Sequence, residues 1–176
     1  VVQSKTPRRG VIKVFFLTAS ILIFLLPALA AAYTQRIDSG GASNYVDGSG
    51  NTWVSDRVYT SGSFGYVGGN AFSTSSAIAN TNDDQLYQTN RYATSFEYRF
   101  DVPAGNYQAT LKFAEILSQS FGVGLRVFNV SIENVPVLVN YDIYAEAGAN
   151  TATDKIFNTT VADGTLNIRF AVVKSR

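Results

Sequence analysis

The side chains in this sequence that can do chemistry are carboxylates, phenols and aromatic rings. There are 13 acids, 10 tyrosines and 12 phenylalanines, but no cysteine and no histidine. That removes the thiolate nucleophile, the imidazole base and every Cys or His metal site. A mechanism run on carboxylates alone needs two acids facing one another, one of them with a raised pKa. Glu115 and Asp142 are available, yet no spacing singles out a pair. The rings are more informative. Phe64, Tyr66 and Phe72 stand in S-G-S-F-G-Y-V-G-G-N-A-F-S-T-S-S-A-I-A, residues 61–79. A stretch so rich in serine and glycine buries little by itself and reads as a long surface loop. Rings there either fold back on the core or meet a ligand. Asp47-Gly48-Ser49-Gly50-Asn51 has an Asp-x-Ser-x-Asn spacing that faintly resembles a calcium loop. It lacks the glycine at position six and the acid at position twelve of such loops. A turn satisfied by its own side chains is the simpler reading. No metal and no cofactor is expected.

The elements that must carry these residues read as strands. Phe96, Tyr98, Phe100 and Val102 alternate with Glu97, Arg99 and Asp101. Tyr107, Ala109, Leu111 and Phe113 alternate with Gln108, Thr110 and Lys112. Period two marks a strand with one buried face. Pro103-Ala104-Gly105-Asn106 between them has turn chemistry, so the pair is expected to form a β-hairpin. Phe128, Val130 and Ile132 alternate, Glu133-Asn134 turns, and Pro136 in the next run argues for an edge strand. Phe157, Thr159 and Val161 are followed by Asp163-Gly164 and then by Leu166, Ile168, Phe170 and Val172. Asp-Gly between alternating runs is a strong hairpin signal. Many short strands predict an all-β domain, an antiparallel β-sandwich of jelly-roll type with loops gathered at its ends. Tyr87, Tyr98, Tyr107 and Trp53 are assigned to its interior.

Residues 1–32 read differently. Lys5, Arg8 and Arg9 precede the uncharged run Val14–Ala32, which ends on alternating alanines. This is a signal peptide or a membrane anchor, the membrane segment lying within residues 11–32. The domain, residues 33–176, is therefore expected outside the cytoplasm or in the secretory lumen. A first residue that is not Met and a last strand ending close to Arg176 suggest a piece of a longer reading frame, shortened at the carboxy end. The net charge of +1 gives no field that would favour nucleic acid.

Several segments together resemble a malectin domain. They are Ile37-Asp38-Ser39-Gly40-Gly41, Leu86-Tyr87-Gln88-Thr89-Asn90-Arg91-Tyr92, Gly105-Asn106-Tyr107 and Leu111-Lys112-Phe113-Ala114-Glu115-Ile116. Further on come Arg126-Val127-Phe128-Asn129-Val130, Tyr141-Asp142-Ile143, Ala147-Gly148 and Asp163-Gly164-Thr165-Leu166-Asn167-Ile168. The resemblance implies a sandwich that binds an oligosaccharide or other glycan through aromatic residues on loops at one end. It puts Tyr66 and Tyr92 on two of the aromatic positions. A tyrosine ring can cover the C–H face of a sugar while its phenol reaches a hydroxyl.

This chain also departs from that pattern. Where the family commonly has two adjacent aromatics after A-E-I or A-E-V, it carries Leu117-Ser118. Phe121, in the loop that follows, is the candidate replacement. The family's acid near the carboxy end would lie beyond Arg176. The resemblance therefore implies a non-catalytic carbohydrate-binding module. A structural or adhesive sandwich that holds a protein partner is the alternative, and a glycoside hydrolase built on Glu115 and Asp142 is a third reading without a clear acid pair. Asn129-Val130-Ser131 and Asn158-Thr159-Thr160 match the glycosylation sequon, which matters only in a eukaryotic secretory route.

Overall fold

A computed structural model describes residues 33–175, so the leader assigned to residues 1–32 lies outside the described residues. Among the described residues no helix is long and apolar enough to cross a membrane. Among the described residues twelve strands follow one another: β1 (Ile37–Asp38), β2 (Tyr45–Val46), β3 (Thr52–Ser55), β4 (Phe64–Val67), β5 (Asn70–Ser73), β6 (Thr89–Tyr92), β7 (Ser95–Asp101), β8 (Gly105–Phe113), β9 (Val127–Ile132), β10 (Val135–Tyr141), β11 (Thr153–Val161) and β12 (Thr165–Lys174). Among the described residues two short α-helices, α1 (Gln85–Gln88) and α2 (Ile143–Ala147), interrupt them. Asp142 caps α2 by accepting a hydrogen bond from the Ala145 amide at 3.0 Å.

The principal layer is a five-stranded antiparallel sheet in the order β10-β9-β12-β7-β4. Facing it is the antiparallel pair β8–β11, in unbroken register from Gly105↔Val161 to Phe113↔Thr153. Alternation along β9 sends Phe128, Val130 and Ile132 inward, where Val130 and Ile132 are each 1% exposed. They meet Val102, Ala109, Val161, Leu166 and Ile168 in the main core. Each such side chain contributes about 1.5–3 kcal/mol by leaving water. A second cluster of Ile78, Leu86, Tyr87, Ile116 and Ala152 packs with Trp53, Tyr45 and Phe72. The all-β sandwich expected from period two is thus present, and Pro136 sits on an edge strand of the larger sheet.

The strand partners differ from those expected. β7 and β8 do not form a hairpin: β7 pairs with β4 and β12, and β8 pairs with β11. The Pro103 connection is a corner that carries the chain from one sheet to the other. Asp163-Gly164 does the same between β11 and β12 rather than closing a hairpin. The two corners are tied together by the Val102 amide, which donates to the Gly164 carbonyl at 3.0 Å. Alternation states which face of a strand is buried, and two sheets sharing one core satisfy it as well as one ribbon does. The true two-residue hairpin joins β9 to β10 through Glu133 (φ 52°) and Asn134 (φ 62°), where both left-handed residues match the twist of the strands.

Residues 61–79 are not a plain loop either. They contain β4, which forms one edge of the large sheet, and β5, which pairs with β6. Gly65 explains the misreading: a Cβ there would lie 2.4 Å from the Arg57 carbonyl oxygen, so the strand needs glycine where period two asks for a side chain.

Candidate functional site

Tyr66 lies on β4 opposite Tyr98 of β7. Two residues later Gly68 (φ 81°) and Gly69 (φ 79°) turn the chain into β5, whose first residue, Asn70, pairs with Tyr92 of β6. A Cβ at Gly69 would stand 3.1 Å from the Tyr92 carbonyl oxygen, so the double glycine lets this corner close tightly. Tyr66 and Tyr92 therefore flank one corner, and Arg91 joins them. Its guanidinium lies over the Tyr66 ring, 3.1 Å from the centroid. Alternation along β6 sends Arg91 inward and Tyr92 outward, and Tyr92 is 46% exposed.

Arg91 is held from several sides. Its Nε and Nη2 donate to Asp56 Oδ2 at 2.9 and 2.8 Å, and Nη1 donates to the Gly69 carbonyl at 2.7 Å. Both side chains of the ion pair are nearly enclosed, 6% and 4% exposed. Burial by itself would lower the Arg91 pKa, but the hydrogen bond and charge of Asp56 outweigh it and raise the pKa above the ordinary value. Asp56 also accepts from the Gly40 amide at 2.8 Å and from the Tyr98 hydroxyl at 3.0 Å. The Tyr98 hydroxyl lies 2.6 Å from Ser39 Oγ. Burial, then the Asp56 charge, pushes the Tyr98 phenol well above its normal pKa. Nearby, Asp38 is 2% exposed and accepts from Thr89 Oγ1 at 2.7 Å. Its carboxyl is raised chiefly by burial. The Ile37–Gly41 segment thus forms a floor for β6 and a frame for Arg91.

Phe121 follows a short 3-10 turn, Ser118–Ser120, and stacks on Tyr144 with centroids 6.0 Å apart. Among the described residues no ring contact joins it to Tyr66 or Tyr92. Glu115 is 2% exposed, paired to Arg126 Nε at 3.0 Å, and accepts from the Leu117 amide at 3.1 Å. Burial raises its pKa, and Arg126 opposes that rise. Asp142 binds the Gly124 and Ala145 amides. Both carboxylates considered for catalysis are thus engaged in holding loops and helix ends.

Asp47 is likewise consumed by its own loop. It accepts from the Ser49 and Asn51 amides at 3.0 and 2.8 Å and from Trp53 Nε1 at 2.9 Å. The Trp53 bond leads in lowering its pKa to about 2. Among the described residues no cluster of three or more potential metal ligands occurs. Tyr87 and Tyr98 are buried, as assigned from sequence, at 7% and 8% exposure. A groove of about 590 Å³ runs between the sheets, with Tyr92, Asn90, Lys112, Phe96 and Phe170 among its lining residues; Tyr66 and Phe121 are not on its wall. Sequence reasoning missed Arg91 and Asp56. Arg91 stood inside the quoted Leu86–Tyr92 segment, but nothing local marked it as the neighbour of Tyr66.

This chain is similar to known proteins in sequence and in fold. The family model described as Malectin domain matches residues 33–176. Malectin-A of Xenopus laevis is 34% identical over 95 residues, covering 52% of this chain and 33% of that protein. Malectin of Homo sapiens is 34% identical over 95 residues, covering 52% of this chain and 31% of that protein. The chain spans about a third of the length of these curated relatives. In structure, Bacteroides uniformis beta-glucuronidase aligns with a TM-score of 0.71 at 29% identity, over 80% of this chain and 16% of that one. The ANXUR1 extracellular domain from Arabidopsis thaliana aligns with a TM-score of 0.64 at 18% identity, over 78% of this chain and 42% of that one, a likeness of fold alone. With a family match running through the whole described sandwich, the chain belongs to the malectin-domain family.

Proposed function

We propose that this domain is a non-catalytic carbohydrate-binding module that contacts an oligosaccharide or glycan through Tyr66 and Tyr92. The observation that carries the reading is the corner itself. An exposed tyrosine and a braced one flank a double-glycine turn of a rigid sandwich. Aromatic rings fixed in this way offer flat apolar area to sugar C–H faces at little entropic cost, and phenols add hydrogen bonds. Phe121, backed by Tyr144, is a third ring assigned to the contact surface. Membership of the malectin-domain family supports the reading. The working location is outside the cytoplasm or in the secretory lumen, with residues 1–32 acting as signal peptide or anchor.

Glycan arrays, followed by affinity electrophoresis of the wild type, Tyr66→Ala and Tyr92→Ala, test this. Each substitution is expected to weaken binding by about tenfold, in line with the roughly 0.5–1.5 kcal/mol of ring stacking beyond area burial. A wild-type protein that binds no glycan overturns the module reading.

A protein partner is the second reading, and one observation favours it. Among the described residues β8 pairs on one side only, so its other edge presents unpaired backbone groups beside the groove. Such an edge accepts an extended peptide. Partner-dependent protection of alternate β8 amides from hydrogen exchange would support it, and unchanged exchange would count against it.

A further inference from the structure

We propose that Arg91 is a positioning residue for the sugar-contacting ring of Tyr66, and that a ligand reaches Tyr66 only from the ring face or edge that Arg91 leaves free. The proposal rests on the carbohydrate reading above and assigns a role within that site.

The geometry is specific. The guanidinium carbon stands 3.1 Å from the Tyr66 centroid, so the charged plane covers one face of the ring. Asp56 takes Nε and Nη2, and Gly69 takes Nη1, which leaves the side chain little freedom to turn away. Asp56 is fixed in turn by the Gly40 amide and the Tyr98 hydroxyl. A buried guanidinium over a tyrosine face is an attractive contact, and enclosure from water strengthens it. The ring is therefore clamped before any ligand arrives. A clamped ring binds with less ordering cost than a free one.

Arg91 borders the groove, but its side chain is only 6% exposed and its Nε, Nη1 and Nη2 donors are taken by Asp56 and Gly69. It acts through Tyr66. The next residue, Tyr92, points to the other side of β6, so the same strand that clamps one ring displays the other. Lysine cannot replace arginine here: it lacks the plane that stacks and the fork that takes two acceptors at once.

The test is a double-mutant cycle on glycan affinity between Arg91→Lys and Tyr66→Ala, with Asp56→Asn as an independent way to loosen the clamp. Affinity electrophoresis is run well below the melting temperature of every variant. NMR of ring-labelled tyrosine supplies a readout free of any sugar. Arg91→Lys is expected to weaken binding about five- to tenfold in the wild-type background and to have no further effect once Tyr66 is alanine. The Tyr66 ring resonances shift in Arg91→Lys while those of Tyr107, on the other sheet, stay in place. Asp56→Asn gives the same pattern in smaller measure.

Equal losses from Arg91→Lys in both backgrounds overturn the inference, since Arg91 would then act on the fold at large. Full affinity in Arg91→Lys, where Tyr66→Ala loses it, also overturns the inference but leaves the carbohydrate reading intact. A wild type that binds no glycan, or a Tyr66→Ala variant that binds like wild type, removes Tyr66 from the site and overturns both.

Discussion

Gly40→Ala and Gly50→Ala form a matched pair that tests how the amino-terminal segment supports β6. Both glycines have left-handed backbones, φ 83° and 82°. A Cβ at Gly50 would meet nothing within 4 Å. At Gly40 it would stand 2.4 Å from the Asn90 carbonyl oxygen and 2.8 Å from the Asn90 carbonyl carbon. The backbone term is common to the two and costs about 1–2 kcal/mol. The gain from a stiffer unfolded chain, about 0.4–1 kcal/mol, is also common and cancels in the difference. The clash belongs to Gly40 alone. It involves backbone, which no rotamer change relieves, and forced overpacking of this kind costs about 1–3 kcal/mol more. Set against that gain, Gly40→Ala should lose about 1–5 kcal/mol and Gly50→Ala at most about 1.5 kcal/mol, a difference of about 1–3 kcal/mol. For a domain of this size each kcal/mol moves the melting temperature by roughly 2–4 °C. Urea titration and thermal melts of the two variants measure the difference directly. The Gly40 variant should also disturb the Asp56 and Arg91 contacts, since the Gly40 amide donates to Asp56. Equal losses from the two substitutions would refute the close approach of Gly40 to β6, and with it the account of how Arg91 is framed.

Two further expectations concern pH. Arg126→Ala leaves the buried Glu115 carboxylate without its cation and should cost about 3 kcal/mol at neutral pH. Burial already raises the Glu115 pKa above 4.5, against the pull of Arg126. The folded state therefore holds that proton more tightly than the unfolded chain, and stability from this group falls as pH rises past 4.5. Removing Arg126 extends that window upward, so the variant should regain ground on wild type as pH is lowered towards 4.5 in urea titrations. A deficit independent of pH would refute the assignment. Asp47 has the opposite sign. Its pKa is lowered from 3.8 to about 2, so its stabilisation is present above pH 3.8 and lost as pH falls towards 2. In Asp47→Asn, melting temperatures should vary less with pH across that interval than in wild type, and an unchanged acid profile would remove the Asx loop from the account.

The Tyr66 and Tyr92 candidates show how far local pattern reaches. Tyr92 is a candidate only through the resemblance carried by the Leu86–Tyr92 segment, and nothing local in the sequence announces its exposure. Tyr66 reads as a loop residue because residues 61–79 are rich in serine and glycine, whereas it lies on β4. Gly65 and Gly69 answer to close approaches in the folded chain, to the Arg57 and Tyr92 carbonyls, which no residue type in the sequence announces. The Arg91–Asp56 pair lies 35 residues apart in sequence, and neither residue carries a local sign of the other.

By itself the sequence determined that the domain is built of strands, which side chains face inward, and that thiol and imidazole chemistry is absent. These follow from period two and from composition, both local properties of the chain. Only the tertiary structure decided which strands are neighbours, turned two apparent hairpins into corners between sheets, and set Arg91 on Tyr66. Partner choice depends on packing two sheets around one core, and that energy is shared among residues distant in sequence.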